Sequence, residues 1–182
     1  MTNGNRVLKE GDMLLLVDQK DRRYLLTLES NSEFHSHSGY ISHDDLIGKK
    51  DGIRVKSSGG LEYLALRPTM SDVILKMPRS AQIIYPKDIG PILIAADIAN
   101  GNKVLESGVG SGALSIALLR AGANVTGIEL REDFAKRARK NVEAFFPSQN
   151  MSERYEVLIG DAYSELNGSD YDRIVLDLPE PW

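Results

Sequence analysis

The chain has 182 residues, 42% of them hydrophobic, enough to build a real core in one full domain or two small ones. It has no cysteine, which excludes disulfides, zinc–thiolate centres and thiol nucleophiles, and no 18-residue apolar run or basic-then-apolar start, so a cytoplasmic protein without a membrane segment is expected. The net charge of −4 is not that of a general nucleic-acid-binding surface, and the excess acid falls within residues 103–182.

Asp12 to Gln19 and Arg22 to Leu28 flank Lys20-Asp21 and predict a hairpin with partial period-two alternation. Phe34 to Gly48 is polar and turn-rich. Ile53 to Ser57 and Leu61 to Leu66 flank Ser58-Gly59-Gly60, a second hairpin. A small β-barrel or β-sandwich domain over residues 1–68, closed by Pro68, is the expected result. His35, His37 and His43, an H-x-H followed by a third His, come with neither an HExxH motif nor a cysteine partner, and His37-Ser38-Gly39 reads as a turn, so no metal is expected.

Residues 69–102 read as a helical connector, with helices over Ser71 to Met77 and Asp88 to Ala99, the second placing Ile89, Ile92, Leu93 and Ala96 on one face and Pro91 in its first turn. From residue 103 strands and helices alternate. KVLES is an apolar strand ending in Glu106, followed by Gly108, Gly110 and Gly112 and then by a helix. Such a turn lets backbone N–H groups at a helix N-terminus face a ligand. By itself it fits a plain strand-to-helix turn equally well. The spacing G-x-G-x-G departs from the dinucleotide fingerprint G-x-G-x-x-G and, with an acid closing the strand, favours S-adenosylmethionine over NAD.

Strand NVTGIE (Asn124 to Glu129) ends in an acid 21 residues after Gly108, the place where a carboxylate accepts hydrogen bonds from ribose hydroxyls in a doubly wound sheet. The other reading is an N-terminal charge on the next helix, a role Glu132 and Asp133 already serve. Glu132 to Phe146 predicts the longest helix, with Phe134, Ala138, Val142 and Phe145 toward the sheet; its Arg131, Lys136, Arg137, Arg139 and Lys140 read first as a solvated face. Strands Tyr155 to Ile159 and Arg173 to Asp177 follow, the first leading into Asp161 and the second ending in Asp177. Four strands thus deliver acids to one edge of a parallel, Rossmann-like α/β sheet. The sequence stops at Trp182 just after the fourth predicted strand, which would leave an open strand edge and an uncovered apolar helix face, so a shortened chain or an incomplete reading frame is expected.

ESGVGSG resembles the first motif of class I S-adenosylmethionine-dependent methyltransferases. RSAQIIYPKDIG (79–90), EFHSHSGYISHDDLIG (33–48), EYLALRPTMSDVILKMPR and the closing DLPEPW resemble the tRNA (adenine-58-N1)-methyltransferases of the archaeal and bacterial TrmI type. The resemblance covers nearly the whole chain. YPKD and DLPEPW together are far more selective than the glycine loop. Ser107 and Val109 stand where that family would have Ala and Thr, small changes in a loop that works through its backbone.

The resemblance implies methyl transfer from S-adenosylmethionine to N1 of adenine-58 in the T-loop of tRNA, and of the neighbouring adenosine as a further option, by a homo-oligomer, normally a tetramer. It implies Asp177 as the catalytic carboxylate and Tyr85 as a residue between cofactor and target base, with Gln82 a polar contact there. Glu106 would receive the methionine amine. Gly108, Gly110, Ser111, Gly112, Ala113 and Leu114 would wrap the methionine part, Glu129 the ribose and Asp161 the adenine amino group. Lys87 would meet phosphate, Asp88 would cap the following helix, and Trp182 would either stack near the base or anchor further chain. A methyltransferase acting on a protein or small molecule, and a non-catalytic tRNA-binding subunit, are the alternatives; Glu106, Glu129, Asp161 and Asp177 argue against degeneracy.

Overall fold

Asp18 organises the first hairpin. Its Oδ1 accepts the backbone N–H of Lys20 and Arg22 at 2.8 and 2.9 Å, and its Oδ2 takes Arg22 Nε at 2.5 Å, so one buried carboxylate closes the turn between β1 (Met13–Asp18) and β2 (Arg23–Thr27). The computed structural model describes residues 7–79, 82–147, 151–164 and 170–179. Trp182, with Glu180 and Pro181, lies outside them.

The chain divides into two compact units, Met1–Lys76 and Met77–Trp182. In the first, β5 (Ile53–Lys56) and β6 (Glu62–Leu66) complete a four-stranded antiparallel sheet in the order β2-β1-β6-β5. The segment read as polar and turn-rich forms a further hairpin, β3 (Glu33–Ser36) and β4 (Gly39–Ser42), with Phe34 opposite Ile41. Both side chains join the core of Leu8, Leu14, Leu16, Leu28, Leu46, Tyr63 and Ala65, where the rings of Tyr24, Phe34 and Tyr63 meet at centroid distances of 5.2–6.2 Å. Two sheets over one core give the expected antiparallel β-domain. Helix α1 (Met70–Lys76) packs with this unit: Thr69 and Asp72 cap it reciprocally, and Asp72 pairs with Arg23 of β2 at 3.1 Å.

The second unit holds a parallel sheet of β7 (Lys103–Ser107), β8 (Asn124–Glu129), β9 (Tyr155–Ile159) and β10 (Arg173–Leu176) in the order β10-β7-β8-β9. The strands stand where the sequence placed them. Helix α2 (Pro86–Ala95) begins and ends earlier than expected: Pro86 suits the first helical position, and the chain leaves through Asp97 in the left-handed region (φ 49°) while Ile98 N–H returns to Leu93 O. Pro91 therefore lies inside the helix, not in its first turn, and of the expected apolar face only Ile89 is fully buried.

Helix α3 (Ala113–Arg120) is buried from Ala113 to Leu119. On α4 (Glu132–Phe145) the buried face is Ala135, Ala138, Asn141 and Val142. Phe134 and Phe145, expected inside, are half-buried under the guanidinium groups of Arg131 and Arg120, 3.8 and 5.7 Å from the ring centroids. Small residues on the inner face let α4 approach the glycine turn closely.

Candidate cofactor cleft

In this strand order the chain runs outward from β7 to β8 and β9, then returns to the other side of β7 as β10. That makes the carboxyl ends of β7 and β10 a topological switch point, where the connections diverge and leave a crevice. Asp177 N–H donates to Ser107 O at 2.9 Å, so the residue after β10 is fixed against the start of the glycine turn. Gly108, Gly110 and Gly112 all have left-handed backbones, with φ of 84°, 57° and 81°. A Cβ at Gly108 would run into the Asp177 carbonyl oxygen, and one at Gly112 would sit 3.2 Å from Ala138 of α4. Glycine at these two positions is demanded by neighbours as well as by φ.

The cleft is lined by Gln82, Ile83, Ile84, Glu106, Gly108 to Ser111, Ala113, Leu114 and Asp177. Two acids 71 positions apart in sequence thus share one wall. Glu106 is only 1% exposed, and the Ser115 hydroxyl donates to its Oε2 at 2.6 Å. Burial pushes its carboxyl up to about 8, helped by the charges of Asp177 and Glu129 and opposed by the Ser115 hydroxyl and N–H. Partial burial also raises Asp177. The hydroxyls of Ser107 and Ser111 are buried and have no hydrogen-bond partner in the structure.

Glu129 is buried beside the cleft. Its Oε2 accepts Gly110 N–H at 2.8 Å and its Oε1 accepts Arg131 N–H at 3.0 Å, so in this state it holds the glycine turn and begins α4. Gly112 serves as the N-cap residue of α3 behind the lining. Asp161 is exposed and accepts Tyr163 N–H at 3.0 Å, outside the lining. Tyr85 is 45% exposed, is the N-cap residue of α2 and does not line the cleft. Asp88 does not cap that helix, since Tyr85 holds the cap position; its carboxylate pairs with Lys87 at 2.8 Å.

The basic residues of α4 are largely engaged locally: Arg131 with Asp133 at 3.0 Å, Lys136 with Glu132 at 2.7 Å, and Arg139 with Val157 O at 2.5 Å. His43 accepts Glu29 N–H through Nδ1 at 3.1 Å, while His35 and His37 contact Glu33 and Arg22. Sequence reasoning missed Ser115 and Tyr155. Ser115 had a signal, as the polar residue inside the apolar run ALSIALL. Tyr155 had none, because only folding brings β9 beneath α3.

Residues 62–182 match the family described as the tRNA methyltransferase complex GCD14 subunit, and residues 7–55 match the domain described as TrmI-like N-terminal. The chain belongs to this family. A tRNA (adenine(58)-N(1))-methyltransferase TrmI of Thermus thermophilus is 37% identical over 172 residues, covering 93% of this chain and 66% of that one. Among solved structures, a SAM-dependent O-methyltransferase of Thermotoga maritima matches with a TM-score of 0.85 and 34% identity, over 97% of this chain and 66% of that one. The tRNA (m1A58) methyltransferase TrmI of Aquifex aeolicus matches with a TM-score of 0.78 and 29% identity, over 97% and 68%. This chain spans about two thirds of the length of these relatives.

The cleft suits the amino-acid end of S-adenosylmethionine, the cofactor on which this methyltransferase family depends. A buried acid with a raised pKa is stabilised by an incoming ammonium group, and backbone N–H groups at the start of α3 with the unpartnered Ser111 hydroxyl offer donors to a carboxylate.

Proposed function

We propose that the protein transfers a methyl group from S-adenosylmethionine to N1 of an adenosine in the T-loop of tRNA, with position 58 as the target. The observation that carries this reading is the pairing of Glu106 and Asp177 on one cleft at the switch point, within a chain of this family. Bound there, the cofactor supplies an electrophilic methyl group on a sulfonium.

The residues of this chain do the positioning. Glu106 binds the ammonium group, and the glycine turn with Ser111 binds the carboxylate. Glu129 turns one oxygen from Gly110 N–H to the ribose hydroxyls, and Asp161 meets the adenine amino group. Adenine N1 is itself a nucleophile, so holding the two partners in line supplies much of the acceleration. Asp177 accepts from the exocyclic amine of the target base and balances the positive charge that N1 acquires. Tyr85, exposed at the start of α2 close in sequence to the lining residues Gln82 to Ile84, is the candidate contact for the target base.

We read the protein as cytoplasmic and as a homo-oligomer, a tetramer by resemblance. No helix among the described residues is long and apolar enough to cross a membrane. Light scattering tests the assembly. Methyl transfer from labelled S-adenosylmethionine to an unmodified tRNA transcript, with the product base mapped, tests the reaction. 1-Methyladenosine in the T-loop is expected, and Asp177→Ala should lower its rate roughly 100- to 1,000-fold. Mapping also decides whether a neighbouring adenosine is modified. The O-methyltransferase description of the Thermotoga neighbour favours a second reading, a substrate other than tRNA. Cofactor binding without transfer to tRNA would support it.

A further inference from the structure

The carboxylate of Glu106 is held from behind by a chain of two hydroxyls. Ser115 Oγ donates to Glu106 Oε2 at 2.6 Å, and the Tyr155 hydroxyl donates to Ser115 Oγ at 3.2 Å. A serine hydroxyl has one proton to give and lone pairs with which to receive. A helical serine ordinarily has a competing acceptor in the carbonyl four residues earlier. Here that is Ser111 O, which is already engaged by Asn141 Nδ2 at 2.9 Å. With Tyr155 donating to the Ser115 oxygen and Glu106 Oε2 only 2.6 Å away, the Ser115 proton is directed to Glu106 even though Ser111 O keeps a second lone pair.

We propose that Ser115 and Tyr155 are positioning residues, a relay running from the start of β9 through α3 that orients the Glu106 carboxylate for an ammonium group and sets the pH at which it is ready, a role that rests on the reading of the cleft as a cofactor site. The groups that face the relay are Asp177 after β10 and Glu129 at the end of β8, whose charges oppose ionisation of Glu106, and Arg139 of α4, whose charge acts on Tyr155. Burial and the charge of Glu106 raise the Tyr155 phenol, so it remains a donor throughout the working range. Removing Ser115 takes hydrogen bonding away from the charged form of Glu106 and raises its pKa further. Removing the Tyr155 hydroxyl frees the Ser115 rotor and does the same to a smaller degree.

The test is a carboxyl 13C NMR titration of ligand-free protein carrying labelled glutamate, from about pH 5 to about 9.5, with Glu106 assigned by Glu106→Gln. The same samples bind S-adenosylmethionine in a calorimeter at about pH 6.5 and about pH 9. Ser115→Ala should raise the Glu106 midpoint by about one unit and weaken cofactor binding about tenfold at the lower pH but only about twofold at the higher. Tyr155→Phe, which deletes one oxygen and keeps the ring, should shift both in the same direction by less, and Ser115→Thr should restore them. Unmoved midpoints in Ser115→Ala and Tyr155→Phe, or an affinity loss equal at both pH values, would overturn the relay. Unaltered protein that binds no S-adenosylmethionine would overturn the cofactor reading itself.

Discussion

Glu106 is the residue whose environment has the clearest measurable consequence. Its carboxyl is raised from 4.5 to about 8 in the fold, so the native state holds a proton that the unfolded chain has released. Between those values the native state binds more protons, and stability falls as pH rises. The contribution is complete below the unfolded value and lost as pH passes the folded one. The Tm of ligand-free protein should therefore decline from about pH 5 to about pH 8, and Glu106→Gln should flatten the decline. Binding of the cofactor's ammonium group runs the other way, because it requires the ionised acid. Affinity should rise with pH toward about 8 and fall beyond it, where the ligand's own α-amino group loses its proton, with about one proton released per molecule bound at pH 7, measured by calorimetry in buffers of different ionisation enthalpy.

Gly108 makes a second prediction at the residue scale. Its left-handed backbone alone costs a substituted residue about 1–2 kcal/mol, and a methyl there meets the Asp177 carbonyl. Gly108→Ala should weaken cofactor binding at least tenfold, about 1.4 kcal/mol, while Gly101→Ala, with nothing within 4 Å, should leave it unchanged. The sequence made the need for glycine legible at Gly108. The neighbour that enforces it was not legible, since Asp177 directly follows the strand that enters the sheet last in sequence.

At the scale of elements, helix ends carry much of the local specificity. The Arg154 guanidinium donates to Leu119 O in the last turn of α3 at 2.8 Å and to Ala123 O just before β8 at 2.9 Å, placing a positive charge where the helix dipole favours one. Arg154→Met should cost about 2 kcal/mol by denaturant unfolding. Strands were easier to place than helix limits. β7, β8 and β9 are apolar runs bounded by turns, whereas α2 stops where Asp97 turns left-handed, with Pro91 carried in its interior. The hairpin β3–β4 escaped notice because four-residue strands give too short an alternation: EFHS and GYIS each turn one large apolar residue, Phe34 or Ile41, toward the core. On α4, Ala138 and Val142 are buried as expected, but the two aromatic residues assigned to the interior are not: close approach to the sheet favours small residues there and leaves Phe134 and Phe145 to cover the margins.

Among the described residues, each unit buries apolar side chains drawn from its own stretch of chain. The first unit has its own aromatic and leucine core, and the cleft belongs to the second unit. Leu16→Ala, at a fully buried position of β1, should cost about 3 kcal/mol yet leave cofactor affinity within about twofold; denaturant unfolding and calorimetry on one preparation check both.

The order of elements apart from the β3–β4 hairpin, the glycine turn, the acids at the strand ends and the family were all legible in local pattern. Each depends on neighbours in sequence: period two for strands, small residues where the backbone must turn, a carboxylate where a strand stops. Tertiary structure alone decided which acids meet. Glu106 and Asp177 come together because β10 returns beside β7, Asp161 remains exposed in its own turn, and Tyr85 stands outside the lining. The protonation of Glu106 was equally beyond the sequence, since desolvation, the Ser115 hydroxyl and the charges of Asp177 and Glu129 act through space, and their distances exist only once the sheet and its helices have closed.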